Sequence, residues 1–260
     1  MLNIMYATNE TQCVELAYSL ISLLKYNKNV HIFLCTNSDE INPFSEKSIK
    51  WLQGVVKYMD NESFLEQIEI KDIYNEYLKD NPNENTHWTK NTLTRLLADK
   101  IFLPKGISKI FYFDPDVMFT NNILPLFHKM KSYNIAMKRD KGGVFVAGVQ
   151  YLNIANLEKI GFFSDAIKCL KERQLKYGDQ DATNFSLIKN NISCYDFNNT
   201  EVFFGHLWEK TSEPLIYHFC CDIPFPVGCV SEEKFIELMP EFSYVKDLLD
   251  NYRSSIRFNF

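Results

Sequence analysis

Two carboxylates, Asp114 and Asp116, directly follow the apolar and aromatic residues 110–113. Such a run is typical of a strand that is buried on both faces. Residues two apart in an extended chain point the same way, and Pro115 stiffens the turn, so both carboxylates can face one ligand. At the carboxyl end of a strand in an open α/β sheet, two hard oxygen ligands indicate a Mg²⁺ or Mn²⁺ site. Asp-Pro-Asp is also a common strand-ending turn, and the pair alone does not decide between the two interpretations.

Other polar side chains at element boundaries are candidates for the same site. His218 follows a short predicted strand and is a candidate third ligand, although most lone histidines bind no metal. Asp179 and Asp181 precede an amphipathic helix, and their own context favours a helix cap or a contact with the helix dipole. Arg95 lies in an apolar helical pattern, which is typical of a snorkelling surface residue but also allows an approach to phosphates near Asp114.

The extended segment 142–153 carries two small residues, Ala147 and Gly148. Small residues inside a strand mark either the close approach of a ligand or backbone, or a simple β-bulge. The local sequence favours neither interpretation over the other.

Composition indicates a folded α/β protein of one domain, with room for a small subdomain. The chain has 260 residues, and 46% of them are hydrophobic, which argues for a large core and against intrinsic disorder. A net charge of −5 argues against bulk nucleic-acid binding. Seven cysteines without a CxxC pair argue against structural zinc and favour a reducing cytosol. We recognise no signal peptide and no apolar run near the roughly 18 residues of a membrane span, so we expect a cytoplasmic protein.

The chain opens with a strand at 2–7, an amphipathic helix over 14–24 and a second strand at 30–35. This order predicts a Rossmann-like opening with a parallel sheet. No GxGxxG sequence follows the first strand, so the dinucleotide fingerprint is absent. The loop at 7–10 still lies at the carboxyl end of a strand, where a nucleotide base could bind.

Later elements are predicted from the same periodicities. We expect a third strand at 54–58, an edge strand at 134–137 and a strand at 215–217. We expect helices at 45–52, 61–80, 86–103, 123–130, 156–175, 179–187 and about 231–250. The clearest turn lies at 81–85, and we find no other compelling domain boundary.

Taken in order, five segments resemble glycosyltransferase family 8, retaining enzymes of the GT-A fold that include glycogenin-type and lipopolysaccharide glucosyl- and galactosyltransferases. The resemblance spans most of residues 2–225, and its motifs are weak singly but fairly specific together. They are Tyr6-Ala7-Thr8-Asn9, Thr94-Arg95-Leu96-Leu97 before Phe113-Asp114-Pro115-Asp116, Val146-Ala147-Gly148-Val149, Asp179-Gln180-Asp181, and the closing segment 218–225 that begins at His218.

The resemblance implies a GT-A domain, a mixed sheet flanked by helices, over residues 1–230. A C-terminal helix and tail at 231–260 would pack on this domain or extend from it. The resemblance also implies that Asp114, Asp116 and His218 hold Mn²⁺, or Mg²⁺, on a nucleotide diphosphate. Mixed oxygen and imidazole ligands fit Mn²⁺ somewhat better, and the ion would act as a Lewis acid on the leaving group.

Donor and catalytic residues are assigned by the same resemblance. The base and ribose would contact Ala7, Thr8 and Asn9. The donor sugar or its phosphates would contact Arg95, Asp114, Ala147, Gly148 and Asp179. Catalysis would involve Asp179 and Gln180, with Gln180 near the anomeric carbon on the face opposite the leaving group, although an amide is a poor nucleophile.

Departures from the family pattern point to a divergent member, or to a relative in another GT-A family with similar motifs. Val146 replaces an asparagine that should face the donor sugar, and Asn9 stands where an aspartate is common. The closing segment lacks its glycine and its lysine, and Ile223 cannot contact a diphosphate as that lysine would. These changes point to an unusual donor, a substitute cation or slow turnover.

The activity implied is transfer of a hexose from a nucleotide sugar to a saccharide or glycolipid acceptor, with retention. UDP-Glc, UDP-Gal or an N-acetyl form is the expected donor. The acceptor site is expected at 195–208 and in the loop 81–90. Sugar rings would stack there on Trp88, Phe203, Phe204 and Trp208, unless these aromatics pack in the core. The basic, aromatic tail 252–260 could touch the inner face of a membrane, but two arginines are too few for an anchor.

Two other functions compete with this one. Haloacid dehalogenase-like phosphohydrolases also place Asp-x-Asp after an apolar strand, with Asp114 as nucleophile and Asp116 as general acid. That motif normally opens the fold, whereas here about a hundred residues precede it. A non-catalytic sugar-nucleotide-binding protein is favoured by the missing lysine and asparagine, and disfavoured by the retained acidic residues, Gln180 and His218.

Overall fold

The computed structural model describes residues 1–84, 90–205 and 213–219, with single positions between 243 and 251. The closing segment after Phe219, the tail at 252–260 and most of the predicted helix at 231–250 therefore lie outside the described residues. The predicted domain boundary at residue 230 lies outside them as well.

Five elements of the first 70 residues form a parallel α/β unit with β1 at its inner edge. They are β1 (Leu2–Ala7), α1 (Cys13–Tyr26), β2 (Val30–Thr36), α2 (Glu46–Met59) and β3 (Phe64–Glu69). β1 pairs with β2, and β2 pairs with β3, both in parallel. The predicted strand–helix–strand opening is confirmed.

The predicted strand at 54–58 is wrong, because these residues belong to α2. Val55 and Val56 are buried together with Ile49 and Leu52, which is the spacing of one helix face. The predicted helix at 61–80 is wrong over 64–69, where β3 forms the edge of the sheet. Its side chains are only half buried, and such short strands carry a weak periodic signal.

Residues 71–105 form several short helical segments. The first of them lies in the second half of the helix predicted at 61–80, and the others replace the single helix predicted at 86–103, of which residues 86–89 lie outside the described part of the chain. The segments are α3 (Lys71–Tyr77), α4 (Lys90–Leu93), a 3₁₀ turn (Thr94–Leu97), α5 (Ala98–Phe102) and a second 3₁₀ turn (Leu103–Lys105). A 3₁₀ stretch inside a helical run often marks a functional position. Here the 3₁₀ turn at Thr94–Leu97 contains Arg95, whose side chain is buried in the protein interior.

The rest of the described chain completes two sheets. Its elements are β4 (Lys109–Phe113), β5 (Val117–Phe119), α6 (Leu124–Met130), β6 (Ile135–Arg139), β7 (Phe145–Asn153), α7 (Ile154–Lys159), α8 (Phe162–Glu172), α9 (Asp179–Lys189), β8 (Cys194–Asp196), β9 (Val202–Phe204) and β10 (Ile216–His218). Among the described residues, the large sheet has the order β3-β2-β1-β4-β7-β6-β8, and the small sheet has the order β5-β10-β9. The large sheet is mixed because β7 runs antiparallel to both β4 and β6.

Two further predictions need correction. The strand predicted at the edge, β6, is internal, because it pairs with β7 on one side and with β8 on the other. The helix predicted at 156–175 is two helices, α7 and α8. Gly161 separates them with a φ of 80°, a left-handed conformation that glycine adopts without strain.

β4 lies at the centre of the large sheet, between β1 and β7, and is buried on both faces as predicted. Phe111 and Phe113 pack in the core on one face, and Ile110 and Tyr112 pack in the core on the other. The strand order reverses between β1 and β4, so the carboxyl ends of these strands border a crevice. Ligands of open α/β sheets bind at such reversal points.

Two findings bear on the composition argument. Cys13, Cys35 and Cys169 are buried, as is typical of cysteines that act as small core residues. Within the described ranges, no helix is both long and apolar enough to cross a bilayer.

Candidate active site and metal centre

A cavity of about 720 Å³ opens at the crevice beside β1, β4 and β7. Its wall includes every residue that the sequence predicted for the site except Thr8 and Asn9. The predicted residues that line it are Ala7, Arg95, Asp114, Asp116, Ala147, Gly148, Asp179, Gln180 and His218. The fold therefore gathers residues from six separate segments into one place.

Asp114, Asp116 and His218 lie together in the lining of this cavity, with one ligand atom of each within 4.8 Å of the others. His218 Nε2 lies 3.5 Å from Asp116 Oδ1 and 3.7 Å from Asp114 Oδ2. The small sheet brings His218 here, because β10 pairs antiparallel with β5 and sets His218 opposite Val117. A hydrogen bond of 3.2 Å from Phe219 N–H to the Asp116 carbonyl continues this pairing.

The donor set of this triad fits a divalent cation. Asp116 Oδ1 is buried and has no hydrogen-bond partner, which is costly unless a cation or ligand satisfies it. Burial alone would raise the pKa of Asp116, but the neighbouring His218 lowers it, so the carboxylate is charged. Burial opposes the charge on His218, whereas the two aspartates raise its pKa. Two carboxylate oxygens and one imidazole nitrogen suit Mn²⁺.

Gly148 faces the triad so closely that no other residue type fits. A Cβ atom at this position would fall on the His218 imidazole and within 2.5 Å of Asp114 Oδ2. The Gly148 carbonyl also accepts a hydrogen bond of 2.8 Å from Asp114 N–H. Gly148 thus fixes the backbone at Asp114 while leaving room for the two side chains and for a ligand.

The pairing of β6 with β7 is interrupted beside the triad. Met137 is opposite Gln150, but the next residue, Lys138, is opposite Val146, so residues 147–149 have no partner on β6. Bulges of this kind occur beside active sites and redirect the chain. The interpretation of Ala147 and Gly148 as a bulge is therefore confirmed. The groups that closely approach Gly148 are the side chains of His218 and Asp114, and the approach of a ligand stays a prediction.

Arg95 occupies the inner end of the cavity, and its interpretation as a snorkelling surface residue is wrong. Its side chain is only 3% exposed. Nη2 donates to Asp114 Oδ1 at 2.8 Å, Nε donates to the Thr92 carbonyl at 2.8 Å, and Nη1 donates to the Ala147 carbonyl. The guanidinium also stacks 4.1 Å from the Tyr112 ring. Ala147, which the bulge leaves without a partner on β6, thus holds one end of the Arg95 guanidinium.

Asp179 is the second carboxylate beside Arg95 and not a helix cap. It is the first residue of α9, and the capping position is occupied by Gly178 with a φ of 47°. Asp179 Oδ2 lies 3.0 Å from Arg95 Nε, but the Nε hydrogen points to Thr92, so Oδ2 has no hydrogen-bond donor. Burial raises the pKa of Asp179 to about 6 in spite of the nearby Arg95 charge.

The side chain of Gln180 is hydrogen-bonded to the backbone of the bulge. Gln180 Oε1 accepts a hydrogen bond of 3.4 Å from Ala147 N–H. Asn184, one turn further along α9, bonds to both the N–H and the carbonyl of Phe145. These contacts hold the first turns of α9 against β7.

Of the three residues predicted to contact the base and ribose in the loop after β1, only Ala7 lines the cavity. Asn9 instead caps a 3₁₀ turn at Glu10–Gln12, and its Oδ1 accepts hydrogen bonds from the N–H and the hydroxyl of Thr11. Thr8 Oγ1 donates to Gln12 Oε1 at 2.6 Å. Contacts of Thr8 and Asn9 with a nucleotide remain a prediction.

Sequence reasoning missed several residues of the cavity. Thr11, Gln12 and Glu15 form its wall at the start of α1, and a helix that starts beside a strand end could have indicated them. Tyr112 donates a hydrogen bond of 2.6 Å to Asp114 Oδ1, and its spacing of two residues from Asp114 was a usable signal.

Of the four aromatic residues predicted for an acceptor site, the structure describes two, Phe203 and Phe204. Phe203 is buried in the core, and Phe204 lines the cavity beside His218. Trp88 and Trp208 lie outside the described residues. Core packing is therefore confirmed for Phe203 alone.

The model of glycosyl transferase family 8 matches residues 3–221 of this chain. The chain belongs to glycosyltransferase family 8. This family membership decides for a glycosyltransferase and against a haloacid dehalogenase-like phosphohydrolase. A comparison with curated protein sequences gives no significant match.

Three solved structures with a similar fold are glycosyltransferases. The galactosyltransferase LgtC in complex with donor and acceptor sugar analogues has 16% identity and a TM-score of 0.66, over 91% of this chain and 95% of that one. Mouse xyloside xylosyltransferase 1 has 15% identity and a TM-score of 0.64, over 86% and 99%. GlyE of Streptococcus pneumoniae TIGR4 has 15% identity and a TM-score of 0.63, over 98% and 64%. The predicted GT-A fold is thereby confirmed.

Proposed function

We propose that this family 8 enzyme transfers a glycosyl unit from a UDP-sugar to a saccharide or glycolipid acceptor, with retention and with Mn²⁺ as its cation. The observation that carries the proposal is the triad of Asp114, Asp116 and His218 at the strand-order reversal. Bound there, the cation would supply Lewis-acid stabilisation of charge on a departing diphosphate.

The protein's own residues would orient the donor sugar. Arg95 is held in place by two backbone carbonyls and Asp114, so it presents a fixed positive charge at the inner end of the cavity. The unpartnered oxygen of Asp179 would accept hydrogen bonds from sugar hydroxyls, which carboxylates do well. Rigid positioning of this kind lowers the entropic cost of reaching the reactive geometry.

Gln180 would act beside the anomeric carbon. In the transfer, the bond from that carbon to the diphosphate oxygen breaks, and a bond to the acceptor oxygen forms on the same face. The acceptor proton passes to the departing diphosphate oxygen, and the Gln180 amide oxygen stabilises the positive charge that develops on the sugar. A solved structure of LgtC carries a glutamine-to-glutamate substitution described as an active-site mutation, which supports this assignment.

The first test is calorimetric titration of UDP with and without Mn²⁺, compared with GDP, CMP and dTDP. We expect binding that depends on Mn²⁺ and favours UDP. Selectivity for another nucleotide would change the donor but keep the cation role. Equal binding of UDP with and without Mn²⁺ would contradict the triad as the cation site.

The role of Gln180 is tested by Gln180→Ala. We expect turnover to fall by at least about 100-fold while donor affinity changes much less, because a group that acts in the transition state contributes little to ground-state binding. A variant with weaker donor binding and unchanged turnover would make Gln180 a binding residue instead.

A further inference from the structure

Glu15 brings a further carboxylate to the cavity wall, and the chemistry proposed above does not use it. It lies in the first turn of α1 and lines the cavity. Its Oε2 atom is buried and accepts no hydrogen bond. A buried carboxylate oxygen without a partner is costly, so it indicates an ion or a ligand that binds beside it.

Two hydrogen bonds fix the face of α1 that carries Glu15. Ser19 Oγ lies 2.9 Å from the hydroxyl of Tyr6, near the end of β1. Ser22 Oγ accepts a hydrogen bond of 3.1 Å from Phe119 N–H on β5. Residues four and seven positions apart lie on one face of a helix, so Glu15 belongs to the face of α1 that packs on these two strands.

Glu15 and Asp116 lie at similar distances along the chain from this contact between α1 and β5. A helix rises about 1.5 Å per residue, so Glu15 lies about 10 Å before Ser22. An extended chain advances about 3.3 Å per residue, so Asp116 lies at most about 10 Å before Phe119. Both residues line the cavity. Burial raises the pKa of the Glu15 carboxyl, and the negative charge of Asp116 raises it further, because the two carboxylates repel each other.

The triad alone offers a divalent cation little negative charge. Asp114 shares its charge with Arg95, which donates to Oδ1 at 2.8 Å. His218 adds no charge, because a histidine that ligates a metal is neutral. Asp116 is then the one member of the triad whose charge is not shared with a hydrogen-bonded cationic side chain. Another carboxylate near Asp116 would increase the attraction for a divalent cation.

We propose that Glu15 is a further residue of the cation site, which adds negative charge and binds the cation through water rather than directly. This role rests on the proposed function, since it requires a divalent cation at the triad. Among the described residues, the carboxylate of Glu15 does not belong to the group of ligand atoms that lie within 4.8 Å of one another. An octahedral cation with three protein ligands keeps positions for water, and the hydrogens of that water need acceptors such as Oε2.

The test is Glu15→Gln, which keeps the shape of the side chain and removes its charge. Calorimetry measures the dissociation constant of Mn²⁺ without nucleotide. We expect binding to weaken at least about 10-fold, because losing a group that acts on a metal through its ligands or water typically costs about 10- to 100-fold in affinity. The urea midpoint of the metal-free protein should be equal to or higher than that of the wild type, because Glu15 no longer repels Asp116. A merely structural role would lower the midpoint together with the affinity.

Two matched variants bracket this result. Glu46→Gln removes the same charge from the first turn of another helix, α2, where the side chain is 91% exposed and outside the cavity lining. It should leave the Mn²⁺ affinity and the urea midpoint unchanged, which controls for total charge and for the helix dipole. Asp116→Asn removes a direct ligand and should weaken Mn²⁺ binding more than Glu15→Gln does.

The possible results separate the role of Glu15 from the cation site itself. If Glu15→Gln binds Mn²⁺ as tightly as the wild type, or if its urea midpoint falls together with its Mn²⁺ affinity, the role of Glu15 is overturned while the triad and the glycosyltransferase function stand. A larger loss of affinity in Glu15→Gln than in Asp116→Asn would make Glu15 a direct ligand and would also overturn the role through water. If the wild type binds no Mn²⁺, the proposed cation site fails, and the role of Glu15 fails with it.

Discussion

The two carboxylate oxygens of Asp114 lie in opposite environments. Oδ1 accepts hydrogen bonds from Arg95 at 2.8 Å and from Tyr112 at 2.6 Å. Oδ2 lies 3.7 Å from His218 Nε2, which is beyond hydrogen-bond distance, and Asp116 Oδ1 lies 3.5 Å from the same nitrogen. The hydrogen-bonding capacity of Oδ1 is therefore satisfied within the protein, whereas Oδ2 accepts no hydrogen bond from His218.

We interpret the Oδ1 side of Asp114 as a structural scaffold and the Oδ2 side as the proposed cation site. On the Arg95 side, the guanidinium donates to Thr92, Ala147 and Asp114, so its position is fixed before any substrate arrives. On the His218 side, two carboxylates meet an imidazole without a hydrogen bond of good geometry, an arrangement that a bound cation would stabilise. We expect changes on the first side to affect folding, and changes on the second to affect cation binding.

The largest effect should come from Arg95→Ala. It removes the partner of two buried or half-buried carboxylates, Asp114 and Asp179, which typically costs about 3–5 kcal/mol in the free energy of unfolding. Urea denaturation measures this cost. The matched control is Arg139→Ala, because Arg139 is 51% exposed and lies 3.7 Å from Asp196, and it should cost at most about 1 kcal/mol. Equal costs for the two variants would remove the distinction between the two sides.

A pH prediction follows from Asp179. Its pKa is raised from 3.8 to about 6 in the folded protein, so between these values the native state holds a proton that the unfolded chain has released. The free energy of unfolding of the wild type should therefore fall relative to Asp179→Asn as pH rises from about 4 to about 6. The change is at most about 3 kcal/mol, at about 1.4 kcal/mol per pKa unit.

Urea denaturation of both proteins at pH 4, 5, 6 and 7 measures this difference. The gap should be constant above about pH 6 to 7, where Asp179 is ionised in both states. A gap that stays flat or rises between pH 4 and 6 would show that the Arg95 charge outweighs burial and that Asp179 is already ionised at low pH.

On the other side of Asp114, Asp116→Asn should weaken Mn²⁺ binding by at least about 100-fold, because an amide oxygen carries no charge for the cation. Calorimetry or the Mn²⁺ resonance signal measures this affinity, and circular dichroism should show an unchanged fold. Asp140→Asn is the matched control, since Asp140 lines the same cavity but accepts a bond from Val144 N–H. Unchanged Mn²⁺ affinity in Asp116→Asn would exclude the triad as the cation site.

A structural feature could be predicted from the sequence where neighbouring residues alone determine it. The strands at 2–7 and 30–35 and the buried strand before Asp114 have strong local patterns, and all three are found in the structure. The edge strand Phe64–Glu69 is only half buried, so its apolar residues were mistaken for a helix face. Family resemblance supplied the candidate site residues, because no single local motif determines a site.

The features that sequence could not supply depend on contacts between distant segments. Arg95 is buried because a 3₁₀ turn and a bulge 50 residues later meet, and neither leaves a distinct local pattern. His218 reaches Asp116 through strand pairing across about a hundred residues. Gly148 is required by two side chains that only the folded chain brings to it.

The smallest effect, and the sharpest test of the comparison, is Tyr112→Phe. It removes the hydrogen bond to Oδ1 of Asp114 and keeps the ring under Arg95, so it should cost about 1–2 kcal/mol in the free energy of unfolding. Mn²⁺ affinity should change by less than about 3-fold, because Tyr112 does not contact Oδ2. The control is Tyr151→Phe, whose hydroxyl is buried without a hydrogen-bond partner, so its loss should be neutral or stabilising. If Tyr112→Phe weakens Mn²⁺ binding as strongly as Asp116→Asn while stability is unchanged, the two oxygens of Asp114 act as one unit, and the separation into scaffold and ligand site is wrong.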